Sequence, residues 1–309
     1  MKVSWNELPR KAWVEFHAQH GGSMQQSWAY GAAMQAMGVT VHRAAVRDGS
    51  KLVALAQFVC RRLALYIGLA SCSRGPVWHP SLEGPVRAQL QRQFKQDIPT
   101  RWWRATLLTP AVAMQDLLPG EMQGLQRVMT GYSTVMLDLR QNLADLRLAL
   151  DGKWRNRLVK SESGVMQVRV DADRQLCRQL LERERWQRAD RNFYGLPTAF
   201  VDAYLDAHEP AAQGYLVASA SAPASETPMA SMLFLRHGCK ASYYIGWADE
   251  EGRKSNAHNR LLWEALNTMK QSGITDLDLG GINTHDLPGI SRFKLGTGGR
   301  VLTLAGTYF

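Results

Sequence analysis

Apolar and polar residues alternate over residues 39–47 and again over 51–62, and Asp48-Gly49 separates the two runs. A period of two on both sides of Asp-Gly predicts a β-hairpin. Residues 63–69 predict a further strand, and 102–108 and 132–139 two more. Helical periods precede and interrupt these runs. Residues 7–19 read as a helix stopped by Gly21-Gly22. Residues 23–37 follow, with Trp28, Tyr30, Met34 and Met37 near helical spacing and Gly38 as the cap. Residues 87–95 have the pattern of another helix, and Ser73-Arg74-Gly75-Pro76-Val77-Trp78 that of a turn.

The second half repeats the theme. Residues 143–162 predict one long basic helix, 165–170 a strand, and 173–188 and 198–207 two helices. Residues 214–222 and 229–237 pair as antiparallel strands around the loop 220–228, the stretch richest in Ala, Ser and Pro. Then come strand 241–247, helix 257–270, strand 276–279, a glycine-rich segment at 289–299 and a last strand at 300–307. The expected class is α/β (α+β): two tandem domains, each a mixed, mostly antiparallel sheet flanked by helices. The domains span 1–140 and 141–309, and the final strand (300–309) can join the first. No Pro/Gly linker marks residue 140, so close packing of the two is expected. No sequence repeat relates them.

Composition narrows the class. The chain has 309 residues, 45% hydrophobic and 21% charged, which suits a globular protein with a large core. No signal-type segment or apolar run of about 18 residues is read, so a cytoplasmic protein is expected. Cys60, Cys72, Cys177 and Cys239 are scattered without redox or metal spacing, and the eight histidines form no ligand pair. No metal is expected, and no cofactor beyond a co-substrate. The net charge of +10 favours polyanionic partners such as RNA, nucleotide-linked substrates or an anionic membrane face.

Several constellations can carry chemistry. Lys294, beside Phe293 in the run from Gly289 to Gly299, can stabilise a carbonyl oxyanion or hold a phosphate; a solvated loop lysine is the alternative. In Lys153-Trp154-Arg155-Asn156-Arg157-Leu158-Val159-Lys160, the side chains of Lys153, Arg157 and Lys160 share a helix face, with Arg155 well round from it. That face suits phosphates, or is simply solvated. Arg191-Asn192-Phe193-Tyr194-Gly195 offers Arg191 and Tyr194 for an anion and a base, or caps a core. Arg74-Gly75-Pro76 holds an anion or makes a turn. Tyr30 reaches substrate or belongs to the core. No GxSxG elbow, Walker loop or GxGxxG following a strand is present, and no nucleophile context is recognisable.

In order along the chain these pieces resemble the Fem-type (FemABX) aminoacyl-tRNA-dependent peptidyl transferases. The pieces that match are Gln26-Ser27-Trp28-Ala29-Tyr30-Gly31, Arg74-Gly75-Pro76, Lys153-Trp154-Arg155-Asn156 running into Ser161-Glu162-Ser163-Gly164-Val165, and Arg191-Asn192-Phe193-Tyr194. They continue with Tyr243-Tyr244-Ile245-Gly246, Leu261-Leu262-Trp263-Glu264-Ala265, Asp278-Leu279-Gly280-Gly281-Ile282 and Phe293-Lys294-Leu295-Gly296. The resemblance implies two GCN5-like acetyltransferase (GNAT) domains and transfer of an amino acid from aminoacyl-tRNA to an amine of a peptidoglycan precursor, UDP- or lipid-linked. By it, Lys294 is the catalytic residue, stabilising the oxyanion or holding the phosphate beside the ester. Phe293 sits by the tRNA end. Arg74, Arg191, Tyr194 and Tyr243 or Tyr244 line the acceptor groove, and Tyr30 is a further substrate contact. Lys153, Arg155, Arg157 and Lys160 serve tRNA or nucleotide phosphates, and a peripheral contact with the inner membrane is compatible with a lipid-linked acceptor. The proton acceptor is open, with Asp278 as one candidate and a structural role as its alternative.

The chain departs from the family's pattern, is shorter than its bridge-forming members, and leaves a different amine acceptor open. Met34-Gln35 stands where family members often carry a basic residue, and no heptad arm is inserted. Two other readings compete. One is an acyl-CoA N-acyltransferase, disfavoured because residues 251–259 lack the Arg/Gln-x-x-Gly-x-Gly/Ala diphosphate turn. The other is a non-catalytic RNA-binding protein on a transferase fold.

Overall fold

The structure is a computed structural model that describes residues 1–64, 67–100, 103–191, 197–283 and 288–309, with the side chains of 103 and 187–191 left aside. Its chain divides into two compact units.

The first unit holds residues 1–133 together with 199–207 and 302–309. Its elements in order are β1 (Lys2–Trp5), α1 (Arg10–Gln19), α2 (Trp28–Ala36), β2 (Thr40–Asp48), β3 (Lys51–Ala64), β4 (Ile67–Ser73), β5 (Val77–Trp78), α3 (Gly84–Asp97), β6 (Trp103–Thr109) and β7 (Arg127–Met129). The predicted hairpin forms with Asp48 opposite Lys51. Strand β3 is buried on both faces as far as Cys60. Ala54, Ala56 and Phe58 meet Leu90 and Phe94 of α3, while Leu55 joins Trp13 and Phe16 of α1. Coverage by a helix on each face explains why this strand's apolar run is nearly continuous. β4 and β6 run parallel and pair without interruption from Ile67↔Trp103 to Ser73↔Thr109. The run 63–69, read as one strand, instead contributes Leu63 and Ala64 to the end of β3 and Ile67 to Leu69 to the start of β4.

The second unit holds residues 134–198 and 208–301. It opens on β8 (Ser133–Asp138), then α4 (Leu143–Leu148), α5 (Gly152–Glu162), β9 (Gln167–Asp171) and α6 (Arg174–Arg191), after which the chain runs through α7 (Thr198–Asp206), whose residues from 199 onward belong to the first unit. It continues with β10 (Tyr215–Ser221), β11 (Pro228–His237), β12 (Lys240–Ala248), α8 (Glu250–Lys254), α9 (Ala257–Gln271), β13 (Asp276–Gly281) and α10 (Pro288–Leu295). The chain ends on β14 (Arg300–Thr303) and β15 (Thr307–Tyr308). The sheet order is β14-β8-β13-β12-β11-β10-β9. Ala230, Met232 and Phe234 of β11 face the cluster that includes Trp154 and Leu158 of α5 and Leu261, Leu262 and Leu266 of α9. The alternate residues Ser231, Leu233 and Leu235, also buried, point the other way. Helix α6 packs on β10, β11 and β12.

Three segments differ from the sequence reading. The helix expected over 143–162 is two helices, because Asp151 interrupts it and caps α5 by accepting the amide of Lys153. The segment 289–299, read as glycine-rich loop, contains the two-turn helix α10, and Phe293 and Lys294 stand on it. Residues 199–207 of α7 pack within the first unit, where the ring of Phe200 meets Tyr30 and the guanidinium of Arg10 donates to Ala207 O. The last strand, β15, pairs with β6 and β7 of the first unit's sheet.

Candidate functional site

In the second unit, β12 and β13 run parallel and pair from Lys240↔Asp276 to Ser242↔Asp278, where pairing among the described residues ends. Both strands are irregular at that point. Against β11, Leu233 faces Ile245 and Phe234 faces Tyr243, so Tyr244 is an extra, bulged residue. Against β8, β13 shifts register between Asp278 and Gly281, and Gly280 has φ +79°. A side chain there would be strained, and glycine leaves the backbone open where the strands part.

The side chain of Lys294 fills this opening. Its ammonium donates to Gly281 O at 2.8 Å and lies 5.9 Å from the centroid of the Tyr243 ring. A Cβ added at Gly280 would lie 3.5 Å from Nζ, in ordinary contact. Lys294 is 8% exposed. Burial lowers its pKa, and the charge of Asp278 works in the opposite direction. The ammonium carries three donors, and among the described residues Gly281 O is its hydrogen-bond acceptor. A buried cation with donors to spare is equipped to meet negative charge that develops on a ligand.

Asp278 has a structural part. Its Oδ1 accepts from the Thr134 hydroxyl and from Gly280 N at 2.8 Å, tying β13 to β8 beside the opening. Burial pushes the hydroxyl of Tyr243 well above its ordinary range, so it stays protonated near neutrality. A Cβ at Gly246 would collide with the Tyr243 hydroxyl.

Helix α10 is fixed from behind by α5. Trp154, 3% exposed, donates from Nε1 to Phe293 O at 3.1 Å, and the two rings lie 5.8 Å apart. Asp151 N donates to Gly296 O. Added Cβ atoms at Gly296 and Gly298 would meet Trp154 and the backbone of Ala149, so both glycines are needed for close approach. His258 at the start of α9 lies 6.3 Å from the Phe293 ring and is hydrogen-bonded to Trp247 O, and burial keeps its imidazole neutral. Sequence reasoning singled out neither Trp154 nor His258 for this shell. The paired indole and backbone carbonyl leave no local spacing signal.

Four of the candidates have other surroundings. Arg74 lies in the first unit at φ +51°, with its carbonyl accepting from the Ser23 hydroxyl. The adjoining turn is held by Gln26, whose amide donates to Ser73 O at 2.9 Å and whose oxygen accepts from Gln57 N at 2.7 Å. Tyr30, also in the first unit, is partly buried edge-on to Phe200, and burial raises its pKa. Ser27 caps α2 by accepting from Tyr30 N. Gln35 Oε1 accepts from Arg43, whose guanidinium also stacks on Trp28 and donates to Gln57. The Gln26 motif thus has a buried polar hub, and Gln35, where family members often carry a basic residue, accepts from Arg43 instead. Arg191 is the last residue of α6, with its side chain outside the described residues, and Tyr194 falls outside them altogether.

Helix α5 buries Trp154, Leu158 and Ser161 and turns Lys153, Arg157 and Lys160 to solvent, with Arg155 partly buried. Among the described residues none of these four makes an ion pair. The nearby carboxylate of Glu162 is held instead by Arg147, at 2.7 and 2.5 Å.

The acyl-CoA reading needs free amides for a diphosphate at the turn from β12 into α9. That turn is occupied by α8. The amide of Gly252 goes to the Asp249 carboxylate at 2.8 Å, and those of Arg253, Ser255, Asn256 and Asn259 go to backbone carbonyls. Asp249, Glu250 and Glu251 add negative charge, and a Cβ at Gly252 would strike Met229 O. Helix α8 thus takes up the amides of residues 252, 253, 255, 256 and 259.

Residues 153–295 match the family model described as an acetyltransferase (GNAT) domain. The whole chain superposes on the crystal structure of FemX, with TM-score 0.83 and 15% identity, covering 100% of this chain and 96% of that one. The C-terminal domain of a putative lysylphosphatidylglycerol synthetase from Agrobacterium fabrum is similar at TM-score 0.59 and 13% identity, covering 97% of this chain and 92% of that one. A tandem GNAT protein from the clavulanic acid biosynthesis pathway is similar at TM-score 0.52 and 13% identity, covering 99% of this chain and 98% of that one. No curated protein matches the chain in sequence. The chain therefore has the fold of FemX, of the tandem GNAT-like kind, and the GNAT match lies in its second half.

Proposed function

We propose that this protein is an aminoacyltransferase that moves an amino acid from aminoacyl-tRNA to the amine of a peptide of the peptidoglycan-precursor type. The observation that carries the reading is the buried ammonium of Lys294, set where β12 and β13 part and held by Gly281 O. The acidic residues of α8 and the amides it takes up speak against a CoA diphosphate there and favour a tRNA ester as the donor. The similarity to FemX supports the same donor and acceptor classes.

The reaction asks for positioning and charge stabilisation, because the ester is already activated. The acceptor amine attacks the ester carbonyl, a C–N bond forms, and negative charge gathers on the carbonyl oxygen. Lys294 meets that charge. The intermediate collapses with cleavage of the bond to the ribose oxygen, and the proton lost by the amine ends on that oxygen. Tyr243 walls the opening and Phe293, backed by Trp154, flanks it on α10. Lys153, Arg157 and Lys160 track the tRNA phosphates, with Arg155 beside them. On the first unit, Arg74 and Tyr30 are assigned to the acceptor. The proton moves through solvent or the substrates themselves, while Asp278 Oδ1 ties β13 to Thr134 and Gly280.

The test is transfer of radiolabelled amino acids from a mixed pool of charged tRNA, with and without a UDP-linked muropeptide, beside calorimetry with acetyl-CoA. Label on the acceptor, absent in Lys294→Met, is the expected result. Acetyl-CoA binding without transfer from tRNA overturns the donor assignment. Binding of tRNA without any transfer leaves a non-catalytic RNA-binding protein.

A further inference from the structure

We propose that the far end of the β3–β4 hairpin in the first unit docks on an anionic phospholipid surface. Strand β3 runs for 14 residues, but the helices that cover its two faces reach only to Cys60. Arg61, Arg62, Leu63 and Ala64 continue past them and are all exposed, as is Ile67 at the start of β4. Leu63 is 68% exposed and Ile67 48%. Hairpin ends in water ordinarily carry small polar turn residues. This end presents two branched apolar side chains beside two adjacent arginines, and among the described residues neither arginine makes an ion pair.

The strands around this end carry no acidic residue. There is no aspartate or glutamate between Asp48 and Glu83, nor between Asp97 and Asp116, the stretches that contain β3, β4 and β6. A partner that rewards both features needs negative charge at its surface and an apolar layer beneath it. An anionic bilayer supplies both. The arginine heads meet lipid phosphates, while the leucine and isoleucine enter the boundary between headgroups and acyl chains. No helix among the described residues is long and apolar enough to cross a membrane, so such a contact is peripheral. The inference deepens the transferase reading by bringing the enzyme to lipid-linked acceptors, but it rests on the hairpin alone.

The test uses the full-length protein without substrates, so its failure leaves the transferase reading untouched. Co-sedimentation is measured with vesicles of phosphatidylglycerol mixed with phosphatidylcholine, and with vesicles of phosphatidylcholine alone, at low salt. Each arginine near an anionic surface is worth about fivefold in partitioning, so Arg61→Ser with Arg62→Ser lowers binding to the anionic vesicles about 30-fold. Leu63→Ser lowers it about tenfold without a change of charge. These side chains are exposed, so the variants keep the wild-type circular dichroism. Failure of the wild type to sediment with anionic vesicles overturns the proposal, as does equal binding by the variants. Loss of tRNA affinity in the double arginine variant with vesicle binding intact also overturns it, and assigns the hairpin to RNA.

Discussion

Replacing Lys294 by methionine keeps an unbranched side chain, one heavy atom shorter, and removes the charge. An ammonium about 4 Å from a developing oxyanion, at the effective dielectric constant of about 20 that suits protein sites, contributes about 4 kcal/mol. Measured losses on removing one oxyanion donor are of similar size, about 10²–10³ in kcat. Lys294→Met is therefore expected to lower single-turnover transfer by about 10²–10³, with tRNA affinity in a filter assay within about twofold. If the lysine instead held the phosphate beside the ester, KM would rise while kcat stayed. A second readout follows from titration. Burial lowers the pKa of Lys294 in the folded chain below the free-lysine value of about 10.4. Between the lowered pKa and about 10.4 the unfolded chain binds more protons than the folded one, so this residue's contribution to stability grows as pH rises through that window. Methionine has no such contribution. The stability of the wild type relative to Lys294→Met should therefore improve on going from pH 7 to pH 10.5 in thermal melts. Transfer within about fivefold of wild type, in a variant that folds, refutes the assignment of the lysine to chemistry. A stability difference that does not change with pH refutes the picture of a buried ammonium.

Trp154→Phe removes the hydrogen bond to Phe293 O while keeping an aromatic ring, which costs about 1 kcal/mol of stability. Because that bond sets α10, kcat should fall more than the change in melting temperature alone explains. Lys153→Ser combined with Arg157→Ser should reduce the slope of log K against log salt for tRNA binding by about one to two, and leave transfer at saturating tRNA near wild type. Gly298→Ala places a Cβ against the Ala149 carbonyl at a residue with φ +73°, so a loss of about 2 kcal/mol or more is expected in denaturant unfolding.

What the sequence determined by itself are the features written in local periodicity and order. The Asp48-Gly49 hairpin, the strands around the Pro-rich loop at 220–228, the helix Ala257–Gln271 and the two-part α/β architecture all follow from apolar spacing and turn residues, and all are present. The order of the motifs carried the likeness to the Fem-type fold, because a pattern spread along the chain survives where overall identity has fallen to 15%. Tertiary structure decided what depends on residues far apart in sequence. The seat of Lys294 was not legible, since it is made by Gly281 O, Gly280 and Tyr243, and appears only where two parallel strands separate. The glycines from 289 to 299 suggested a loop. Two of them instead allow Trp154 and Ala149 to approach a helix closely, a contact across about 140 residues that no local rule contains. The role of Gln26 was not legible either, since its amide is tied to Gln57 and Ser73, residues far along the chain. Helix α7 lies in the second half of the sequence but packs residues 199–207 in the first unit, because Phe200 finds its partner in Tyr30 rather than in the strands that flank it along the chain.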